Sequence, residues 1–319
     1  MRCIVTGCCG FIGSHLAESL LEKGHIVIGI DNFSSFYDKN IKEKNLDLLI
    51  KNKNFIFFNE DLLSINFSKI GSVDFIFHQA AQAGVRSSWQ DNFKVYVQDN
   101  ILTTQRLLEG VLKFFPTLKK FIFASSSSVY GDSSIPMKEE NILRPISPYG
   151  VTKLASENLV CLYSRNFNIP FISLRYFTVY GPRQRPDMAF HRFIKSILEK
   201  KEITIFGNGL QTRDFTYISD IVDANILAME SDIKNEIFNI GGGTQLSINT
   251  VISILERLIG KKAKIVYEKK VKGDVKDTLA SIEKAKGILG YSPKFSIEEG
   301  LKKEIEWIKE VYFPLEYQK

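Results

Sequence analysis

The chain has 319 residues, of which 44% are hydrophobic and 24% charged. That is the composition of an ordinary globular protein with room for about two domains or lobes at roughly 150 residues each. No apolar stretch reaches the ~20 residues that span a bilayer, and residues 1–15 lack a signal peptide's basic start and cleavable apolar core, so no membrane partner and a cytoplasmic location are expected. The net charge of +6 is scattered, and even the densest basic segment, KKAKIVYEKKVK at 261–272, is interrupted by apolar residues and a glutamate, which argues against nucleic acid.

The predicted elements begin with a strand, CIVTG, that runs into TGCCGFIGSH and a helix over 13–23. Gly7, Gly10 and Gly13 stand at spacing Gly-x-x-Gly-x-x-Gly. Glycines there let the backbone turn tightly against a pyrophosphate, whose charge is met by the amides opening the next helix. The second strand, HIVIGID, ends on Asp31 at the distance expected of a ribose-binding acid. An aspartate accepts hydrogen bonds from the adenosine ribose and repels a 2′-phosphate, so NAD is favoured over NADP as cofactor. Cys3, Cys8, Cys9 and Cys161 match neither a metal-site nor a disulfide spacing and are expected to be small buried fillers, with no metal bound.

A helix over 40–53 follows, then FIFFNED, where Asp61-Leu62 would bring a carboxylate near the adenine amine. VDFIFHQAA, a helix over 92–114 and the strand KKFIFASSS come next, then a helix over 148–167 and PFISLRYF. Continuous apolar runs alternating with helices mean strands buried on both faces, hence a doubly wound parallel α/β sheet of Rossmann type. The rhythm breaks after Pro182, with a helix over 188–201, the short strands ITIFG and EIFNIGG, and a helix over 247–259. A cofactor domain over 1–180, with later segments returning to it, and a smaller mixed α/β substrate lobe over 181–319 are therefore expected. No internal repeat suggests a solenoid.

Ser147 and Pro148 can cap and open the helix at 148. Tyr149 and Lys153 then fall at i and i+4 and point the same way. The lysine and the positive end of the helix dipole both favour a phenolate. Bringing a tyrosine near neutrality requires about 3 pKa units, or about 4 kcal/mol. Upstream, SSSS at 125–128 ends a buried strand, and ligands of open α/β folds sit at the carboxyl ends of strands.

Serine, tyrosine and lysine arriving together there resemble the catalytic set of the short-chain dehydrogenase/reductase superfamily. TGCCGFIG, Asp31, HQAA, SSSSVYG, Tyr149-x-x-x-Lys153 and RYFTVYGPRQRPDM, in this order, are similar to its extended members that act on nucleotide-diphosphate sugars. AAQAGVR, SPYGVTK and RYFTVYGPRQRPDMAFHRFI most resemble the UDP-glucuronate 4-epimerases among them. The resemblance implies tightly held NAD, a seven-strand cofactor sheet, a UDP-sugar substrate and a homodimer built from helices at about 92–114 and 150–167.

It also implies residue roles. Tyr149, assisted by Ser126, takes the proton of the sugar 4-hydroxyl while the C4 hydride passes to NAD; the 4-keto sugar turns over and hydride returns to its other face. Lys153 holds the nicotinamide ribose. Phe11, Ile12, Asn32, Ala80, Ala81, Asn100 and Tyr176 line the cofactor beside the residues named above. Arg213 would meet the diphosphate, Phe206 the uracil and Asp274 the uridine ribose. Thr178 replaces the asparagine of many hexose epimerases, and Val271 stands where an arginine often precedes Gly-Asp, leaving that role to Lys270 or Lys272.

A 4-keto uronic acid is a β-keto acid, so an epimerase must grip its carboxylate or lose carbon dioxide. Ser127, Ser128 and Arg185 are the candidates for that grip, with Arg86 and Arg192 as further cations. Related decarboxylases and dehydratases carry acids where Ser127 and Ser128 stand, and elimination needs an acid and a base. The alternatives kept open are a UDP-glucose or UDP-N-acetylglucosamine 4-epimerase, a UDP-glucuronate decarboxylase, and a non-catalytic NAD-binding regulator on the same fold.

Overall fold

The computed structural model describes residues 1–314. Its strands are β1 (Arg2–Thr6), β2 (Ile26–Ile30), β3 (Phe55–Phe58), β4 (Phe75–His78), β5 (Lys120–Ser126), β6 (Phe171–Tyr176), β7 (Thr178–Tyr180), β8 (Glu202–Phe206), β9 (Thr212–Tyr217), β10 (Glu236–Ile240), β11 (Gln245–Ser247) and β12 (Lys264–Glu268). The helices are α1 (Phe11–Glu22), α2 (Lys39–Leu49), α3 (Phe93–Tyr96), α4 (Thr103–Phe114), α5 (Pro148–Phe167), α6 (Ala189–Leu198), α7 (Ile218–Glu230), α8 (Ile248–Ile259), α9 (Glu283–Leu289) and α10 (Ile297–Tyr312).

Seven strands form one sheet in the order β10-β6-β5-β4-β1-β2-β3, and every pairing in it is parallel. The chain order reverses between β1 and β4, which opens a crevice at the carboxyl ends of the strands. β4, β5 and β6 are buried at every position, as continuous apolar runs require when helices cover both faces. The α/β doubly wound fold expected from the strand and helix rhythm is therefore present.

One segment after Pro182 returns to the large sheet. EIFNIGG, read as a strand of the second lobe, supplies β10, the edge strand of the large sheet, in register with β6 from Glu236↔Ile172 to Ile240↔Tyr176. Helix α7 precedes it and packs on α1 and β5. A short apolar run shows that a strand is buried but not against which sheet, and here the chain goes back after building β7, β8 and β9. Those strands belong to a three-stranded sheet ordered β11-β9-β7 and a two-stranded parallel sheet β12-β8. One hydrophobic cluster runs continuously from Val5 and Leu16 through Ile194 and Phe215 to Leu301, so the small sheets share a core with the large one.

Candidate active site

The loops that follow β1 to β6 contribute to one cavity of about 790 Å³. After β1, Gly7 takes φ +68° and Gly13 lies so close that a Cβ there would meet the Gly7 carbonyl oxygen at 2.1 Å. Only glycine permits that approach, which leaves the turn free to take a phosphate against the start of α1. After β2, Asp31 accepts hydrogen bonds from the amides of Cys9 at 3.1 Å and Phe33 at 2.9 Å. Asp61 follows β3 and accepts from the Asn32 side-chain amide at 2.9 Å and the Leu63 amide at 2.8 Å.

Cys3, Cys8 and Cys9 are buried and Cys161 is half-buried, all four as free thiols. Cys8, Cys9 and Asp31 bring their ligand atoms within 4.8 Å of one another. Burial holds the Cys8 thiol well above its ordinary pKa, and the ammonium of Lys42 already stands 4.0 Å from the Asp31 carboxylate. That donor set suits packing against a nucleotide loop better than holding a cation.

After β4, the Ala80 backbone is fixed by a relay of hydroxyls. Thr104 donates to the Asn100 carbonyl at 2.6 Å, so its oxygen is left to accept from His78 Nε2 at 3.0 Å; Thr6 then donates to His78 Nδ1 at 2.8 Å and accepts from the Ala80 amide at 3.1 Å. Burial lowers the His78 pKa to about 3, so the ring is neutral, as the relay requires. Asn100 is buried behind the wall and does not line the cavity: its side chain binds both the amide and the carbonyl of Gln82 and donates to Thr152. It supports the 80–82 loop from behind.

The serine run ends β5. Ser126 caps the short 3-10 turn 127–129 by accepting from the Ser128 amide at 3.1 Å, and its hydroxyl lies near enough to Tyr149 to lower that phenol's pKa. Helix α5 begins as expected, with Ser147 accepting from the Gly150 amide at 3.1 Å and Pro148 in the first turn. Gly150 lets that turn press on the serine run, since a Cβ there would meet the Ser128 carbonyl oxygen at 2.5 Å. Tyr149 and Lys153 consequently face the cavity together with Ser126, Ser127 and Ser128.

The electrostatics differ from expectation. Burial lowers the Lys153 pKa to about 7, with Glu157 opposing, and the ammonium lies 4.5 Å from the centre of the Phe123 ring. Burial likewise raises the Tyr149 pKa; the Ser126 hydrogen bond and the charge of Arg185 pull it down, and Tyr96 pushes it up. Arg185 is thus a cation that favours the Tyr149 phenolate, and in the chain by itself desolvation wins. Tyr96 meets the Tyr149 ring edge to face at 6.2 Å and is anchored through its hydroxyl to Ser87 and the Gly84 carbonyl.

At the outer end, Arg185 donates through Nε and Nη2 to the two carboxylate oxygens of Asp187, both at 2.9 Å. Arg86 donates to Asp274 at 2.7 Å and lies over the Phe206 ring at 4.3 Å, so the two residues expected at the uridine, Phe206 and Asp274, converge on a cation that was expected at the carboxylate. Thr178 and Arg192 also line this part. Arg213 does not: its guanidinium donates to the carbonyls of Thr212, Lys276 and Val275, tying β9 to the 274–278 loop.

The cavity thus gathers Gly7, Gly10, Phe11, Ile12, Gly13, Asp31, Asn32, Asp61, Leu62, Ala80, Ala81 and Tyr176 together with Ser126, Tyr149 and Lys153. Sequence reasoning passed over Gln79, Phe36, Tyr37, Lys42 and Asp187, which share its wall. Gln79 lies within the HQAA motif and hydrogen-bonds Tyr176 and Asn225 at 3.1 Å each. Lys42 has no signal of its own, being one lysine among several in a polar helix. Asp187 stands two residues after Arg185, but loop spacing does not reveal that the side chains meet.

A model of the NAD dependent epimerase/dehydratase family matches residues 3–241. The UDP-glucuronate 4-epimerase of Thermodesulfobacterium geofontis is 46% identical over 313 residues, which cover 96% of each chain. An uncharacterized UDP-glucose epimerase, YtcB, of Bacillus subtilis is 47% identical over 315 residues, or 98% of this chain and 99% of that one. The crystal structure of UDP-glucuronic acid 4-epimerase from Bacillus cereus in complex with UDP-glucuronic acid and NAD superimposes with a TM-score of 0.95 at 48% identity, over 98% of this chain and all of that one.

Proposed function

This chain belongs to the NAD dependent epimerase/dehydratase family, and from that premise we propose that it converts UDP-glucuronate to UDP-galacturonate by oxidation at C4, rotation of the 4-keto sugar and re-reduction. Bound NAD accepts the C4 hydride and returns it, and brings a positively charged nicotinamide to the site. The glycine turn and Asp31 fit that cofactor: the first leaves room at a helix N-terminus for a pyrophosphate, the second is a carboxylate at the end of β2.

Tyr149 takes the proton of the 4-hydroxyl and gives it back, and Ser126 shares the hydrogen bond through which that proton moves. Lys153 holds the nicotinamide ribose. Ser127, Ser128 and Thr178, with Arg185, grip the uronate carboxylate and keep the C5–carboxylate bond out of line with the C4 carbonyl, so carbon dioxide is retained. Phe206 and Asp274 take the uridine, with Arg86 and Arg192 beside the diphosphate. The observation that carries the reading is that the two residues after Ser126 in the cavity wall are hydroxyls, with arginines lining the same cavity and no acid in their place. Relatives at 46% and 48% identity named for this reaction support it over a decarboxylase or a neutral-sugar epimerase.

The test is proton NMR of UDP-glucuronate incubated with the protein. The small H4 coupling of the galacturonate should appear; no change there with turnover of UDP-glucose overturns the reading. We also propose that the protein works in the cytoplasm, where its free thiols stay reduced, as a homodimer that pairs α4 and α5 with those of a second copy. Among the described residues no helix is long and apolar enough to cross a membrane.

A further inference from the structure

We propose that Asp187 is a positioning residue that competes with the substrate: it holds Arg185 as an internal stand-in for the uronate carboxylate and releases it when an anionic sugar enters. The inference rests on the carboxylate role of Arg185 given above. Its basis is the bidentate pair, Nε to Oδ1 and Nη2 to Oδ2, both 2.9 Å, which is the geometry a guanidinium uses for any carboxylate. Both residues line the cavity, and the charge of Arg185 reaches Tyr149, so the pair lies within range of the reacting sugar.

The groups around the guanidinium make an exchange workable. Its side chain is 19% exposed while that of Asp187 is 39% exposed, so the stand-in is the wetter partner and keeps water when it lets go. Phe36 lies 5.6 Å below the guanidinium, and Tyr37 and Lys42 face it from the segment between β2 and α2 and from α2 itself. Tyr149 faces it from α5. Apart from Asp187 these neighbours are neutral phenols, an apolar ring and a second cation, so without a carboxylate partner Arg185 would stand as an unneutralised charge beside the general base. A neutral sugar leaves the pair closed. A uronate exchanges one carboxylate for another and has only the partly exposed pair to displace, a small cost for such pairs.

Asp187→Asn keeps the shape and removes the competing charge. We expect KM for UDP-glucuronate to fall about threefold, the scale of one partly exposed pair, with KM for UDP-glucose unchanged. The acid limb of kcat/KM should also move to lower pH, because Arg185, less neutralised, favours the Tyr149 phenolate more strongly. A KM for the uronate that is unchanged or higher, or an acid limb that stays in place or moves up, overturns the exchange. Arg185→Ala separates the two levels: equal rises in KM for both sugars overturn the carboxylate role itself, whereas a rise confined to the uronate keeps that role and leaves Asp187→Asn to judge the exchange.

Discussion

Lys153 shows what a buried cation costs the fold that carries it. Its side chain is 3% exposed, and burial lowers its pKa to about 7 from an ordinary 10.5. The unfolded chain therefore binds the proton more tightly than the folded one between these values, so the contribution of this lysine to stability is least favourable below pH 7 and improves as pH rises toward 10.5. Lys153→Met keeps the length and the contact with Phe123 while removing the charge. We expect it to raise the melting temperature of the cofactor-free protein at pH 6, by an amount that shrinks as pH rises to 9, and to lower epimerization by about 10²-fold or more. Parallel stability curves for wild type and variant over that range would show that Lys153 carries no such penalty. Tyr149 has the complementary problem, since burial alone moves it away from the phenolate. Tyr149→Phe should abolish turnover and leave UDP-glucuronate binding, followed by calorimetry, within about threefold, because the ring and its contact with Tyr96 persist.

At the level of elements, the site depends on α5 being pinned to the sheet. Arg175 of β6 donates to Glu157 of α5 at 2.7 and 3.1 Å and to the Tyr130 hydroxyl at 2.8 Å, and Tyr130 donates to Asn239 of β10 at 2.7 Å. Both charged side chains are almost wholly buried. Arg175→Met strands a carboxylate in the core one turn from Lys153 and should cost about 3–5 kcal/mol in urea unfolding, whereas the double variant with Glu157→Met should recover most of it. A double variant as unstable as the single one would show that the pair is not what matters. This web was not legible in the sequence, because it joins residues from three elements with no shared spacing. The start of α5 was legible, because Ser147, Pro148, Tyr149 and Lys153 act within a single turn or two. The same division explains the site: the glycine turn, Asp31 and the serine run are local features of strand ends, while the places of Arg213 and Asn100 follow from which loops meet across the molecule. It explains the sheet as well, since the run at 236–240 announces a buried strand but not its neighbour. Helices α7, α9 and α10 went unread because the chain after Pro182 has no regular beat.

For the whole molecule, the unresolved question of surface lies on α4 and α5, which pack together and are bridged where Gln105 donates to the Tyr163 hydroxyl at 3.0 Å. Val95, Leu102 and Leu112 are exposed along one helix path, and Val151 and Leu162, eleven residues apart, share one face of the other. Isolated exposed apolar residues need no explanation, but two parallel stripes on adjacent helices do. Facing stripes of a second copy would turn two helices into four around a closed two-fold axis, with the same residues on both sides of the contact. Leu102→Glu with Leu162→Glu places two carboxylates at that axis in each copy, and burying them unpaired would cost several kcal/mol. Light scattering after gel filtration should then give the mass of one chain where wild type gives two, with the melting temperature of the variant little changed if the fold of each copy is self-supporting. A wild type that already elutes as a single chain at micromolar concentration would overturn the dimer, and a variant that stays paired would move the interface to another face.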